Sequence, residues 1–330
     1  MARRWGISGY GWVARDFMRP AIKASGDILA AIADPSEAAR VQAKSDGIAA
    51  FASVDAMLAE TGCDIIYVAT PNDRHAETVR EVIRHGLPVL CEKPMAATLA
   101  DAEEIAAAVA GSRVVYGTAF DQRHHPAHAA MRERIRGGAI GNPIAVRIVY
   151  GCWVGPQWSP TGSDNWRADP IAAGGGATID LALHGLDLVQ FLLGEPVSQL
   201  HITLQQRIHA YMVDDGGMLV GRTAAGVLVS SHVAYNNPEN LPRRRLEVLG
   251  ATGLLVATDT MGQTAGGTVT LQRGDAVESV AFDTARSPFT AQVQAFADAT
   301  QGQPHDFSAQ RDIALMRLFD AAYREAKKCL

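Results

Sequence analysis

Residues 4 to 14 read Arg-Trp-Gly-Ile-Ser-Gly-Tyr-Gly-Trp-Val-Ala. A short apolar run from Trp5 to Ser8 enters Gly9-Tyr10-Gly11, and a helical pattern begins at Trp12 or Val13. This is the strand–turn–helix of a dinucleotide-binding fold. Gly9 permits a tight turn, Gly11 lets the backbone approach a pyrophosphate, and the helix N-terminus presents free N–H groups to the phosphate charge. Ala14 takes the place of the third glycine and is still small enough for close helix–strand packing. A glycine-rich turn alone is weak evidence. Its place before a helix, with an acidic residue, Asp34, ending the next strand, makes it much stronger.

The rest of the first third alternates. The pattern predicts helices over 13–24, 35–43, 54–60, 74–85 and 99–110, and strands over 28–33, 49–51, 64–69, 88–91 and 114–118. The continuous apolar run at 64–69 suits a parallel strand buried on both faces. Such alternation argues for a doubly wound parallel sheet, whose ligands lie beyond the carboxyl ends of the strands. Gly9, Asp34, Thr70 and Lys93 all fall at such ends. After a helix over 126–136 the texture changes. Strand-like segments at 144–152, 197–211, 218–222, 227–233, 244–249, 254–257, 268–271 and 279–282 are separated by turns rich in Gly, Asn and Asp. One long helix, 177–193, interrupts them, and helices over 289–300 and 308–327 close the chain. We read this part as α+β with a large, open, mostly antiparallel sheet.

At 330 residues the chain exceeds the size at which single cores stop growing, about 250–300 residues, so two domains are expected. The division places a dinucleotide-binding Rossmann domain at 1–122 and a substrate-binding and oligomerisation domain at 123–330, with the C-terminal helix packing back on the first. A net charge of −5 offers no basic surface for nucleic acid or an anionic membrane. No apolar run approaches the roughly 18 residues of a membrane span. Four scattered cysteines point to a reduced, cytoplasmic protein. Arg3-Arg4 superficially resembles an export signal, but the first strand follows at once, so no cleaved segment is expected.

Three groups of residues carry chemistry. Asp34 stands where an acid receives the adenosine ribose hydroxyls and repels a 2′-phosphate, favouring NAD over NADP, although the nearby Arg40 could compensate. Glu92-Lys93-Pro94 ends a strand on the nicotinamide side, where an ammonium can polarise a carbonyl or shuttle a proton. The bland alternative is a surface Glu92–Lys93 ion pair. After Gly174-Gly175-Gly176, Asp180 and His184 lie four apart on one helix face, with Asp187 three further on. His184 suits general acid/base work, with Asp180 orienting it or the substrate. A shared metal is the rival reading. No further ligand cluster supports it, and no metal is expected. Trp153, Trp158 and Trp166, beside Arg167 and Asp169, suit a hydroxylated ring or a packed loop.

Together these pieces resemble the Gfo/Idh/MocA family of sugar and polyol oxidoreductases, named for glucose–fructose oxidoreductase and inositol dehydrogenase. The resemblance rests on the Gly6 to Ala14 turn, on Val68-Ala69-Thr70-Pro71-Asn72 with His75, and on Glu92-Lys93-Pro94. Gly137-Gly138-Ala139-Ile140-Gly141 and the segment from Gly174 to His184 extend it. It implies a cofactor site made by Gly9, Tyr10, Gly11, Trp12, Val13, Asp34, Thr70, Asn72, His75, Glu92 and Lys93. It implies a substrate site made by Lys93, Arg123, Trp166, Arg167, Asp180 and His184, with Lys93, Asp180 and His184 catalytic and a cis peptide before Pro94. The expected activity is hydride transfer between NAD, or NADP, and a secondary alcohol or ketone of a sugar-like small molecule, in a homodimer or homotetramer. The alternatives are an S-adenosylmethionine-dependent methyltransferase, whose glycine-rich turn looks alike, and a noncatalytic dinucleotide-binding protein.

Overall fold

The computed structural model describes residues 2–155, 157–158 and 165–330. Its first sheet contains β1 (Arg4–Ser8), β2 (Ile28–Ala33), β3 (Ala49–Phe51), β4 (Ile65–Val68), β5 (Val89–Glu92) and β6 (Tyr116–Ala119). All pairs are parallel, in the order β3-β2-β1-β4-β5-β6. Every residue of β4 is buried, as a strand covered on both faces requires. The strand order reverses between β1 and β4, so a crevice opens at their carboxyl ends. The crossovers are α1 (Arg19–Ala24), α2 (Glu37–Ser45), α3 (Val54–Glu60), α4 (His75–Arg84) and α5 (Leu99–Ala110). Ser36, Ser53 and Thr98 cap α2, α3 and α5 by accepting a backbone N–H.

The helix expected over 13–24 has a widened beginning. Ala14–Met18 is π-helical and runs into α1. Pro20 has no N–H for the Asp16 carbonyl and its ring crowds that turn, while the Arg19 N–H reaches back to the Ala14 carbonyl.

The second sheet has eight strands around α7 (Ala177–Leu193), entered through α6 (Pro126–Arg136). They are β7 (Pro143–Gly151), β8 (Val197–Gln205), β9 (Gly216–Thr223), β10 (Leu228–Ala234), β11 (Arg244–Gly250), β12 (Leu254–Thr258), β13 (Thr268–Arg273) and β14 (Ala276–Ser279). The order is β14-β13-β12-β11-β7-β10-β9-β8, with β7 and β10 parallel and the other pairs antiparallel. Two strand expectations need correction. The first strand after α7 stops at Gln205 rather than 211, because the Asp215 carboxylate gathers the backbone N–H groups of Arg207, Ile208 and His209 into a loop. The last strand is Ala276–Ser279, not 279–282, since the hairpin closes around Gly274 at positive φ.

Helix α7 is apolar around most of its circumference, and 14 of its 17 residues are buried. It therefore lies between the sheet's inner face and the rest of the molecule. Val146, Ile148 and Tyr150 of β7 point toward that core. The outer face carries Met218, Val220 and Leu228, each about half exposed or more. Of the terminal helices, α8 (Pro288–Ala299) packs against α1, and α9 (Ala309–Lys327) lies against β8 and α7 of the second sheet's layer as well as α5 and β6 of the first. Phe289 of α8 stacks on Phe17, and Phe296 meets Trp5.

Candidate active site

At the β1 turn, Gly9 has φ +88°, and a Cβ there would stand 2.6 Å from the Ala69 carbonyl oxygen. Only glycine fits the approach of β1 to β4. A Cβ at Gly11 would meet nothing within 4 Å, so its backbone faces open space at the start of the helix. Asp34 holds this turn. Its Oδ2 accepts the Tyr10 N–H at 2.8 Å and its Oδ1 accepts the Ser36 N–H at 2.8 Å. Arg40 folds back and donates to the carbonyls of Asp34 and Pro35. The Tyr10 hydroxyl donates to Asp46, and burial, then that hydrogen bond, push its pKa up to about 12. Trp12 packs edge-on against Trp158 of the second-domain loop, with ring centroids 5.7 Å apart.

Beyond β4, Thr70 Oγ1 is buried with no hydrogen-bond partner among the described residues. Asn72 Nδ2 donates to the Ala173 carbonyl at 2.9 Å and ties this end of the sheet to the loop that precedes α7. The buried His75 ring bridges the carbonyls of Pro94, at 3.0 Å, and Thr70, at 3.1 Å. Burial lowers its pKa to about 4. Open backbone at Gly11, the acid behind the turn and the unpartnered Thr70 hydroxyl fit a dinucleotide across this edge.

Lys93 follows β5, and its peptide to Pro94 is cis. Its ammonium does not pair with Glu92. It crosses to α7 and donates to Asp180 Oδ1, and to the Asp180 backbone carbonyl at 3.1 Å. The side chains are 14% and 20% exposed, so the pair lines a cleft and is not sealed from solvent. Asp180 Oδ2 accepts the Tyr235 hydroxyl at 2.6 Å. Burial disfavours charge on Asp180, but Lys93 and Arg167 outweigh it and hold the carboxyl well below the usual range. Glu92 instead accepts the Tyr67 hydroxyl and the Lys93 N–H, and burial raises its pKa against the pull of Lys93.

The geometry that delivers Asp180 is set at the start of α7. The Asp214 carboxylate accepts the N–H groups of Gly176, at 3.0 Å, and Thr178, at 2.8 Å, and also receives the Tyr323 hydroxyl. A Cβ at Gly176 would lie 1.9 Å from the Asp214 carbonyl oxygen, so this glycine serves close packing. Asp180 itself stands in the first turn of α7, where the helix dipole favours a carboxylate, and Asp214 offsets part of that field.

One turn on, His184 is buried, with Phe120 and Tyr150 edge-on to its ring at 6.3 and 5.9 Å. Burial, then Lys93, lower its pKa to about 3. Asp180 does not bond His184, because both its oxygens are taken by Lys93 and Tyr235. Arg167 lies over Trp166 at 4.6 Å and Trp158 at 5.0 Å, and its charge reaches Asp180. Arg123 is engaged elsewhere, in a buried bidentate pair with Asp187 at 2.6 and 2.7 Å. Asp180 and Asp187 therefore each face a cation. Trp153 packs against His209, and Asp169 closes a turn on Ile171 and Ala172.

Sequence reasoning missed Tyr235, Asp214 and Asp121. Tyr235 and Asp214 meet α7 only through the folding of the second sheet, and no spacing marks them. Asp121, just past β6, carried a legible signal, an acid at the carboxyl end of a parallel strand.

Known proteins of similar sequence and fold identify the family. Residues 3–120 match the oxidoreductase family with an NAD-binding Rossmann fold, and residues 128–256 match the GFO/IDH/MocA C-terminal domain. The chain is 33% identical over 302 residues to 1,5-anhydro-D-fructose reductase of Ensifer adhaerens, covering 91% of this chain and 88% of the relative. It is 28% identical to the NADP(+)-dependent D-xylose 1-dehydrogenase 2 of Haloferax volcanii, covering 98% and 97%. Its fold is that of levoglucosan dehydrogenase complexed with NADH and levoglucosan, with a TM-score of 0.87, 22% identity and coverage of 99% and 98%. No helix among the described residues is long and apolar enough to cross a membrane. The doubly wound sheet with its glycine turn, the Lys93–Asp180 bridge to α7 and these matches place the chain in the Gfo/Idh/MocA family of NAD(P)-dependent oxidoreductases.

Proposed function

We propose that this protein interconverts a secondary alcohol and a ketone on a sugar, anhydrosugar or polyol, with Lys93, Asp180 and His184 as the reacting centre. The observation that carries the reading is the Lys93–Asp180 contact, which joins the end of a cofactor-domain strand to the helix that bears His184. The nicotinamide supplies or accepts hydride when bound. Lys93 stabilises negative charge developing on the substrate oxygen, and Asp180 keeps the ammonium aimed. The neutral, buried His184 exchanges the hydroxyl proton. Trp166 and Arg167 offer a ring face and a bidentate donor to substrate hydroxyls. Arg123 contributes through Asp187, by fixing the middle of α7.

In this reading Gly9, Tyr10, Gly11, Trp12, Val13 and Asp34 hold the adenosine and pyrophosphate half of the cofactor, and Thr70, Asn72, His75, Glu92 and Lys93 border the nicotinamide half. Asp34 favours NAD over NADP, because its charge opposes a 2′-phosphate. The domain boundary falls near residue 122. The uncovered outer face of the second sheet, with Met218, Val220 and Leu228, is where copies associate into a homodimer or homotetramer in the cytoplasm. Nucleic acid and membrane play no part. The test is a panel of sugars, anhydrosugars and polyols, including 1,5-anhydro-D-fructose, levoglucosan, inositol and xylose, read by reduced-nicotinamide absorbance with both cofactors. Turnover of at least one class supports the reading, and binding of NAD(H) with no turnover of any contradicts it.

A further inference from the structure

The reaction centre leaves one buried acid without a task. Asp121 begins the short turn Asp121–His124 after β6 and is 6% exposed. Its Oδ2 accepts Gln122 Nε2 at 2.9 Å, and its Oδ1 lies 3.3 Å from His184 Nδ1. The geometry of that contact falls short of a hydrogen bond, and His184 Nδ1 is buried with no other partner among the described residues. An unpartnered buried polar atom destabilises the fold, and a small turn of the imidazole between Phe120 and Tyr150 removes that cost. Such contacts are often long before substrate binds and tighten in the reacting complex. Nε2, on the opposite side of the ring, has no hydrogen-bond partner among the described residues and is the nitrogen left for a substrate.

We propose that Asp121 is the positioning residue of His184 and decides which imidazole nitrogen carries the proton, an inference that rests on His184 as the proton-exchanging group. Ionised, Asp121 accepts a hydrogen bond from Nδ1–H, which leaves the Nε2 lone pair free to take the proton of an alcohol. Protonated, it donates to a bare Nδ1, so that Nε2–H faces a carbonyl oxygen. In oxidation the substrate O–H bond breaks and its proton bonds to Nε2. The Nδ1 proton passes to Asp121 Oδ1, and the C–H hydrogen leaves with its electron pair as hydride to the oxidised nicotinamide. Ketone reduction reverses each transfer.

The groups facing the pair are Glu92 at the end of β5 and Lys93 just beyond it, Tyr67 of β4, Tyr150 of β7, Asp180 of α7 and Gln122 of the turn. Burial, then the charge of Glu92, push Asp121 up to about 7, against Lys93 and Gln122. His184 stays neutral over the same range, held down by burial and Lys93. The acid therefore changes state near neutrality while the imidazole changes tautomer.

The test is long-range proton–nitrogen NMR on the full chain with ¹⁵N-labelled histidine, with the His184 signals assigned through His184→Gln. The wild type should pass from the Nε2–H tautomer at acid pH to the Nδ1–H tautomer at alkaline pH, with a midpoint near 7. Asp121→Asn should hold one tautomer throughout. With a turned-over substrate, kcat/KM for oxidation should rise and that for reduction fall through the same midpoint, and Asp121→Asn should flatten both. A wild-type tautomer that ignores pH, or an unchanged transition in Asp121→Asn, overturns the proposal. If that variant does not fold, the wild-type titration decides alone. The tautomer shift without turnover of any sugar would contradict the proposed substrate class and leave the pairing supported. Turnover with a fixed tautomer would do the reverse.

Discussion

Replacing Lys93 by Met removes the cation beside Asp180 while keeping most of the length of the side chain. In the wild type, the Asp180 carboxyl is held below its unfolded value by Lys93 and Arg167 in spite of burial. Its contribution to stability is therefore complete at neutral pH, and it is lost only as pH falls through the low folded-state value. In Lys93→Met, burial faces only Arg167 and the Tyr235 hydrogen bond, and the folded-state pKa of Asp180 rises. Once that value passes about 3.9, the unfolded reference, the sign inverts. The acid then favours folding below 3.9 and costs stability as pH rises through its new value. Breaking a buried pair on one side costs about 3–5 kcal/mol, and partial exposure of this pair puts the expected penalty at pH 7 near the lower end, about 3 kcal/mol. Each unit by which Asp180 is raised returns about 1.4 kcal/mol on acidification. Urea unfolding of both proteins between pH 4 and 8 measures the penalty. It should shrink toward pH 4, and Asp180→Asn in the Lys93→Met background should abolish its pH dependence. A penalty of constant size across the range would refute the argument that Lys93 is what keeps Asp180 charged.

Titration of both cofactors should show tighter binding of NAD(H) than NADP(H), and Asp34→Ser should narrow the gap, with a loosened turn as well because the Tyr10 N–H loses its acceptor. A wild-type preference for NADP(H) would instead make Arg40 a phosphate partner. Gly176→Ala should lower the unfolding midpoint markedly, since its Cβ would stand 1.9 Å from the Asp214 carbonyl oxygen. An unchanged midpoint would show that the start of α7 can shift. Val220→Glu on the outer sheet face should convert an assembly to monomers in light scattering, and a wild type that is already a monomer of about 35 kDa contradicts the assembly.

The first domain was legible because its signals are local. Gly9, the apolar run of β4 and the strand-end residues Thr70 and Lys93 each mark position along the chain, and parallel topology then collects them at one edge. Helix α7 was legible to the residue for a similar reason, bounded by Gly176 and Gly194 around a long apolar segment. What the sequence could not show is pairing at a distance. Lys93 reads as an ammonium on the nicotinamide side or, in the bland alternative, as the partner of Glu92, and its contact with Asp180 spans 87 positions that no spacing marks. Asp180, four residues before His184 on one helix face, reads as orienting the imidazole or the substrate, and in the structure it turns to Lys93 and Tyr235. Arg123 reads as a substrate donor, yet Asp187 occupies both arms of its fork. The proline in the first helix was visible, but its effect, a widened turn at Ala14–Met18, depended on which hydrogen bonds the neighbours could still make.

The most direct test of the central claim is steady-state kinetics of Lys93→Ala and His184→Ala on a turned-over substrate, with cofactor affinity measured by titration on the same preparations. Loss of one positioned acid/base group costs on the order of 100- to 10,000-fold in rate. Turnover should fall by that much in each variant, with dinucleotide affinity little changed, because Gly9, Gly11 and Asp34 sit apart from the reacting centre. Turnover near the wild-type value in both variants would contradict the assignment of Lys93 and His184 as the chemical groups of this site.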